Sequence, residues 1–178
     1  MKKLFLLGLM AIIFIVGVVS TSTASAAPYC GITWGSLPKT AADKGYGEVM
    51  TNVHTGRSTC YDRMVVDVSK ATSGYDVRYV SNVYADGSGQ LIPLAGGAKL
   101  QIIVKSPAYN NNSTPTYPGR VGKPLPGVIL SGYPTFRDAK YAGSFEGQTM
   151  IGLGVRSKLP FRVFMSTNHV VVDVANKW

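Results

Sequence analysis

The chain has 178 residues, 46% of them hydrophobic and only 15% charged, and its excess of bases gives a formal net charge of +9. That length suits one domain able to bury a core without special staples. The basic residues are scattered, with no run dense enough to track phosphates, which argues against a nucleic-acid binder and leaves anionic envelope polymers as natural partners for a basic protein.

The first 26 residues fall into three parts. Lys2 and Lys3 form a basic head, Leu4 to Val19 an uncharged apolar run, and small residues end in Ala24-Ser25-Ala26. This is the layout of a secretory signal peptide, with cleavage expected after Ala26. The apolar run is shorter than the roughly 20 residues a spanning helix prefers, so no stable membrane span is expected after cleavage. Loss of Lys2 and Lys3 lowers the formal charge from +9 to +7. Both cysteines, Cys30 and Cys60, lie beyond the cut. Two thiols in an oxidising compartment predict one disulfide, stabilising by roughly 3–4 kcal/mol on the chain-entropy model. Two cysteines and two distant histidines lack the spacing of metal ligands, so no metal and no cofactor are expected.

Residues 27–47, rich in Gly, Pro and Lys, read as an irregular N-terminal arm, and residues 48–178 as a single β domain. Met64, Val66 and Val68 alternate with Arg63, Val65 and Asp67, and Tyr75, Val77 and Tyr79 with Asp76 and Arg78. Leu100, Ile102 and Val104 alternate with Lys99, Gln101 and Lys105. Near the end, Phe161, Val163 and Met165 alternate with Arg162 and Phe164, and Val170, Val172 and Val174 with His169, Val171 and Asp173. Period-two alternation over such runs predicts half-buried strands. Ser73-Gly74, Asp86-Gly87-Ser88-Gly89 and Gly96-Gly97 supply the turns. Ala139 to Ser144 reads as at most one helical turn. Residues 106–127, with Asn110-Asn111-Asn112 and several prolines and glycines, form the one long irregular loop. Arg63-Met64-Val65-Val66-Asp67-Val68 matches His169-Val170-Val171-Val172-Asp173-Val174, a short repeat placing a base first and an Asp at the same phase. The fold class expected is all-β: a sandwich of antiparallel strands, with pseudo-two-fold halves and little helix.

No catalytic set emerges. Glu146 with Asp138 has no special claim to be a glycosidase pair, and His54 with Ser36 lacks a nucleophile elbow. Gly152-Leu153-Gly154 lacks the third glycine of a nucleotide loop and reads instead as a place of close backbone packing. Strand aromatics such as Tyr79, Phe161 and Phe164 read as core. Binding is the better-motivated class, since aromatic faces can stack on sugar rings while arginines meet anions. Trp34, beside Cys30 on the arm, is least suited to a core role. Arg156 and Arg162 read either as anion contacts or as partners of Glu146 and Asp173.

Several stretches carry a family likeness. They are Cys30-Gly31-Ile32-Thr33-Trp34-Gly35-Ser36, Cys60-Tyr61-Asp62-Arg63-Met64-Val65-Val66-Asp67-Val68, Gly74-Tyr75-Asp76-Val77-Arg78-Tyr79-Val80, Gly143-Ser144-Phe145-Glu146-Gly147-Gln148-Thr149 and Leu159-Pro160-Phe161-Arg162-Val163-Phe164. Together they resemble the secreted AMIN-like domain proteins of actinobacteria and related Gram-positive bacteria. The resemblance implies a link to AMIN domains, β-sandwiches that localise cell-wall amidases and secretion components by holding peptidoglycan. No amidase domain is attached here, so that localising role does not carry over. The expectation is a secreted, cell-wall-associated, non-catalytic module that binds peptidoglycan or an attached anionic glycopolymer. The alternative is a protein-binding module, such as an inhibitor or accessory subunit of a cell-wall enzyme. The candidate ligand contacts are Trp34, Tyr61, Arg63, Phe145, Glu146, Arg156 and Arg162.

Overall fold

The computed structural model describes residues 29–43, 48–70 and 74–177; the signal-peptide segment, residues 1–26, lies outside them. Eleven strands form among the described residues, and no helix. In chain order they are β1 (Lys39–Ala41), β2 (Met50–Arg57), β3 (Tyr61–Val68), β4 (Tyr75–Val80), β5 (Val83–Tyr84), β6 (Leu91–Ile92), β7 (Ala98–Val104), β8 (Phe136–Phe145), β9 (Gln148–Val155), β10 (Phe161–Ser166) and β11 (His169–Ala175). A five-stranded sheet runs β1-β4-β7-β9-β8, a four-stranded sheet runs β10-β11-β3-β2, and β5 and β6 make a small ribbon. All pairings are antiparallel, so the expected all-β sandwich is what the chain forms. β1 lies within the arm that reads as irregular; three residues are too few to display an alternation.

Period two places the core where the sequence suggests. Met64, Val66 and Val68 of β3 and Val170, Val172 and Val174 of β11 are buried in one cluster with Leu100, Ile102 and Val104 of β7 and Ile151, Leu153 and Val155 of β9. Each fully buried side chain of this size contributes about 1.5–3 kcal/mol. The two copies of the repeat, on β3 and β11, are neighbours in the four-stranded sheet rather than members of opposite sheets. Antiparallel pairing sets Asp173 opposite Arg63 and His169 opposite Asp67, so the base of each copy faces the carboxylate of the other. The symmetry carried by the repeat is therefore a local two-fold of that strand pair.

The segment read as a helical turn, Ala139 to Ser144, lies inside β8. Register shifts against β9 leave Arg137 and Ala142 as extra residues, and such bulges break the alternation. Ala139 and Tyr141 join the main core, while Ala142 joins a smaller cluster with Val83, Ala85 and Ile92. That smaller cluster covers the outer side of the five-stranded sheet. Gly152 and Gly154 make the covering possible: a Cβ on Gly152 would sit 2.8 Å from Leu94 Cδ1, and one on Gly154 1.9 Å from the Ala95 carbonyl oxygen. Among the described residues no second cluster covers the four-stranded sheet in this way, and its outer face carries polar and aromatic groups.

Between β7 and β8 the chain has no strand from residue 105 to 135, a longer irregular stretch than 106–127. It is nonetheless packed, with Ala108, Tyr117 and Leu125 buried in the main core. Its backbone also follows β8. Gly122 N donates to the Tyr141 carbonyl at 2.9 Å, Tyr141 N to that of Lys123 at 3.0 Å, and Leu125 N to that of Ala139 at 3.1 Å.

Asp62 holds the end of this connection. It is fully buried, and its Oδ2 accepts hydrogen bonds from the backbone amides of Thr135 (2.6 Å) and Phe136 (2.9 Å), where β8 begins. Among the described residues Oδ1 has no partner. Desolvation by burial outweighs the two amide bonds and pushes the carboxyl above its ordinary range. The folded state therefore keeps this proton to higher pH than the unfolded chain. It follows that stability should fall as pH rises from the ordinary carboxylate value, about 4, toward the raised folded value. Urea denaturation across a pH series should show that this slope disappears in Asp62→Asn, whose amide oxygen still accepts both N–H groups. Asp62→Ala should also lose the slope and lie about 3 kcal/mol below Asp62→Asn across the series, because two buried amides are left without an acceptor.

Candidate functional site

On the four-stranded sheet, the residues that alternate with the core present a continuous outer face. β10 contributes Arg162 and Phe164, β11 His169, Val171 and Asp173, β3 Tyr61, Arg63, Val65 and Asp67, and β2 Asn52 and His54. Asp173 is the anchor of one end. It has no solvent exposure, yet it points outward into a pair of guanidinium groups. Arg63 grips it with two prongs, Nε to Oδ1 at 2.6 Å and Nη2 to Oδ2 at 2.9 Å, and Arg162 Nε reaches Oδ2 at 2.8 Å. The hydrogen bonds to Asp173 raise Arg63 above its already high ordinary value. Two positive charges thus share one buried negative charge, and each arginine side chain remains about a third exposed. A carboxylate buried in this way is tolerated only because charged donors satisfy it.

Aromatic rings frame the arginines. The guanidinium of Arg162 lies 5.6 Å from the Trp34 ring, 5.3 Å from Tyr61 and 5.1 Å from Phe164, and that of Arg63 lies 5.0 Å from Tyr61 and 5.6 Å from Phe164. These are cation–π distances. Trp34 and Tyr61 are themselves in tilted contact, with centroids 6.1 Å apart. Arg63 Nη2 also donates to the Tyr61 hydroxyl at 3.3 Å, so that ring holds the guanidinium by its edge as well as its face.

Trp34 belongs to no strand, and three ties bring it here. The disulfide between Cys30 and Cys60 is formed and fixes the arm beside the start of β3. The indole Nε1 donates to the Tyr29 carbonyl at 2.9 Å, and Phe161 N on β10 donates to the Gly35 carbonyl at 2.9 Å. The other end of the face has a different polar cluster. His169 Nδ1 lies 2.8 Å from Asp67 Oδ1, His54 Nδ1 lies 3.4 Å from Oδ2, and Asn52 Nδ2 donates to Oδ2 at 3.1 Å. Among the described residues no three His, Cys, Asp or Glu side chains converge as metal ligands do.

The structure thus unites four of the residues singled out in the sequence, Trp34, Tyr61, Arg63 and Arg162. The other three lie elsewhere. Phe145 and Glu146 sit at the turn between β8 and β9, exposed to solvent. Arg156 follows β9, where its Nη2 donates to the Asn176 carbonyl at 2.8 Å beside an open cleft that includes Lys158 and Lys177. Phe164, read from the sequence as core, lies half-buried on the outer face beneath the guanidinium groups. The signal was present in phase alone, because Phe164 is two residues from Arg162 and so shares its side of β10. The sequence offered Asp173 as a partner of Arg162, and the two do pair; that Arg63 shares the same carboxylate depends on which strands become neighbours.

The family model for the AMIN-like domain matches residues 48–176. No curated protein and no solved structure matches the chain. AMIN-like domains are generally non-catalytic binding modules with a cell-wall-related role, typically extracellular or periplasmic. Among the described residues no helix is long and apolar enough to cross a membrane.

Since the disulfide pins the arm, its removal should disturb the aromatic end of the face as well as stability. The Cys30→Ser/Cys60→Ser variant should lose about 2–4 kcal/mol in denaturant unfolding. Its near-ultraviolet circular dichroism should lose Trp34's contribution while the far-ultraviolet strand signal persists.

Proposed function

The chain belongs to the AMIN-like domain family, and we propose that it is a secreted, non-catalytic binding module of the bacterial cell envelope whose ligand is peptidoglycan or an anionic glycopolymer attached to it. The observation that carries this reading is the pair of guanidinium groups fixed on Asp173 and framed by Trp34, Tyr61 and Phe164. One carboxylate does not balance two arginines, so the site keeps a positive charge and free N–H donors. A ligand carboxylate or phosphate can take up those donors in the forked geometry that guanidinium favours. The rings beside them offer apolar faces to the C–H surface of a sugar. Because Asp173 and the rings already hold the arginines, little side-chain freedom remains to be lost on binding. A ligand bearing both an anion and a sugar face meets both halves of the site, and an envelope glycan with acidic substituents is such a ligand. The two histidines at the opposite end of the face extend the polar surface along a chain-like partner.

Co-sedimentation of the disulfide-bonded protein with purified sacculi, with and without wall teichoic acid, tests the reading across a salt series. Pelleting that survives about 0.3 M salt, where exposed charges more than several ångströms apart are screened, is the expected result. Arg162→Gln leaves Arg63's two-pronged grip on Asp173 in place, so the fold persists, and affinity should drop about tenfold. Trp34→Ala should weaken the salt-resistant part of the binding. No soluble wall fragments should be released. Absence of pelleting under every condition would favour instead a protein-binding module, an inhibitor or accessory subunit of a cell-wall enzyme.

A further inference from the structure

A concavity that includes none of the arginines lies between the long connection and the β8–β9 hairpin. It has a volume of about 380 Å³, and every residue lining it is uncharged. Small-ligand sites typically span roughly 300–1,000 Å³. Tyr109, Tyr117, Tyr141 and Phe145 supply rings, while Ser113 and Ser144 supply hydroxyls. Tyr117 and Tyr141 are buried, Tyr109 is half-buried, and Phe145 stands half-exposed. Burial pushes the Tyr141 hydroxyl above its ordinary value, against the opposing effect of its hydrogen bond with Ser144.

The cavity is built rather than fortuitous. Asn110 Oδ1 accepts from the amides of Asn112 and Thr114, both at 3.0 Å, which fixes the tip of the connection. Ser144 Oγ accepts from Ala108 N at 2.9 Å and donates to the Gln148 carbonyl at 2.8 Å, tying the connection to the hairpin. Gly119 lies so close to the Tyr141 ring that a Cβ would come within 2.6 Å of it. Among the described residues four non-glycine positions take positive φ, and two of them, Ser113 (59°) and Glu146 (47°), occupy the turns on either side of this cavity. Such conformations persist where the surrounding structure over-determines them, and they concentrate at ligand sites.

We propose that this cavity binds one pyranose ring of a neutral glycan, with the C–H face of the sugar against Phe145 and Tyr109 and its polar edge toward the Tyr109 and Ser113 hydroxyls. An anion finds no cation in the lining. Tyr117 already donates to the Pro126 carbonyl and Ser144 to that of Gln148, which leaves the Tyr109 and Ser113 hydroxyls for a ligand, and a wholly apolar ligand covering these would leave them without partners. A sugar ring, apolar on its face and hydroxylated at its edge, matches both. The choice of N-acetylhexosamine among neutral sugars rests on the envelope-binding reading; the cavity itself requires only an uncharged pyranose.

The test is an NMR titration of the disulfide-bonded protein with the uncharged tetramer of N-acetylglucosamine, at about 0.5 M salt so that cationic contacts are screened. Saturable shifts should appear at Tyr109, Ser113, Phe145 and Gly147 and be absent at Arg63 and Arg162. Phe145→Ala, a change at a half-exposed ring that leaves the core intact, should weaken binding about five- to tenfold, as should Tyr109→Ala, while Arg162→Gln should leave it unchanged. Shifts confined to the cationic face, absence of saturable shifts, or affinity unaffected by both Phe145→Ala and Tyr109→Ala would overturn the proposal. Tetramer binding by a protein that ignores sacculi would leave this site standing and remove the envelope reading; sacculus binding without tetramer binding would do the reverse.

Discussion

The antiparallel register of β3 against β11 is the constraint on which most of this molecule depends. Met64, Val66 and Val68 and Val170, Val172 and Val174 all point inward because Val66 pairs with Val170 and Met64 with Val172. The same register sets Arg63 opposite Asp173 and Asp67 opposite His169 on the other side of the sheet. A slip of one residue would carry those charged and polar groups into the core and turn the valines outward. At about 1.5–3 kcal/mol for each buried side chain, such a slip would cost an amount comparable to the whole stability of an ordinary domain, roughly 5–15 kcal/mol. Core and outer face are thus specified by one alternation read on its two sides.

The two faces of the sandwich then diverge. Gly152 and Gly154 let the segment around Leu94 and Ala95 lie directly on the five-stranded sheet, closing its outer side with a second small core. On the four-stranded sheet, among the described residues, the side chains themselves do the covering. Val65 and Val171 are buried although they face outward. Arginine stems and the Phe164 ring lie over this part of the sheet, with charge carried at their tips, an arrangement in which long side chains shield apolar surface while their heads stay wet. The cationic platform is therefore also part of how this sheet tolerates solvent.

Much of the fold was legible in the sequence, since period-two runs at Met64–Val68, Leu100–Val104 and Val170–Val174 are the direct imprint of half-buried strands. What escaped was whatever broke that period. The bulges at Arg137 and Ala142 disguised a ten-residue strand as a helical turn, and the strand at Lys39–Ala41 was too short to show a pattern. Of the cationic site, Trp34, Tyr61, Arg63 and Arg162 could be chosen by residue type. Their assembly could not, because it depends on β10, β11 and β3 lying side by side and on a disulfide that moves Trp34 onto the sheet. The tyrosine-lined cavity was less legible still: Tyr109 and Tyr117 sit in the irregular connection, and Tyr141 in the disguised strand.

The path of the long connection has one more consequence. β8 ends the five-stranded sheet and would otherwise expose a row of unpaired amides and carbonyls ten residues long. Gly122, Lys123 and Leu125 occupy that row, and on the other sheet Gly35 takes the first amide of β10. β1, at the opposite end of the larger sheet, has only three residues to offer. Open strand borders invite a second copy to add on and propagate, which is how β-rich chains aggregate. Here the chain's own backbone occupies the middle of the β8 border and the first amides of β10 and β2, which shortens the open stretches on which a second copy could pair.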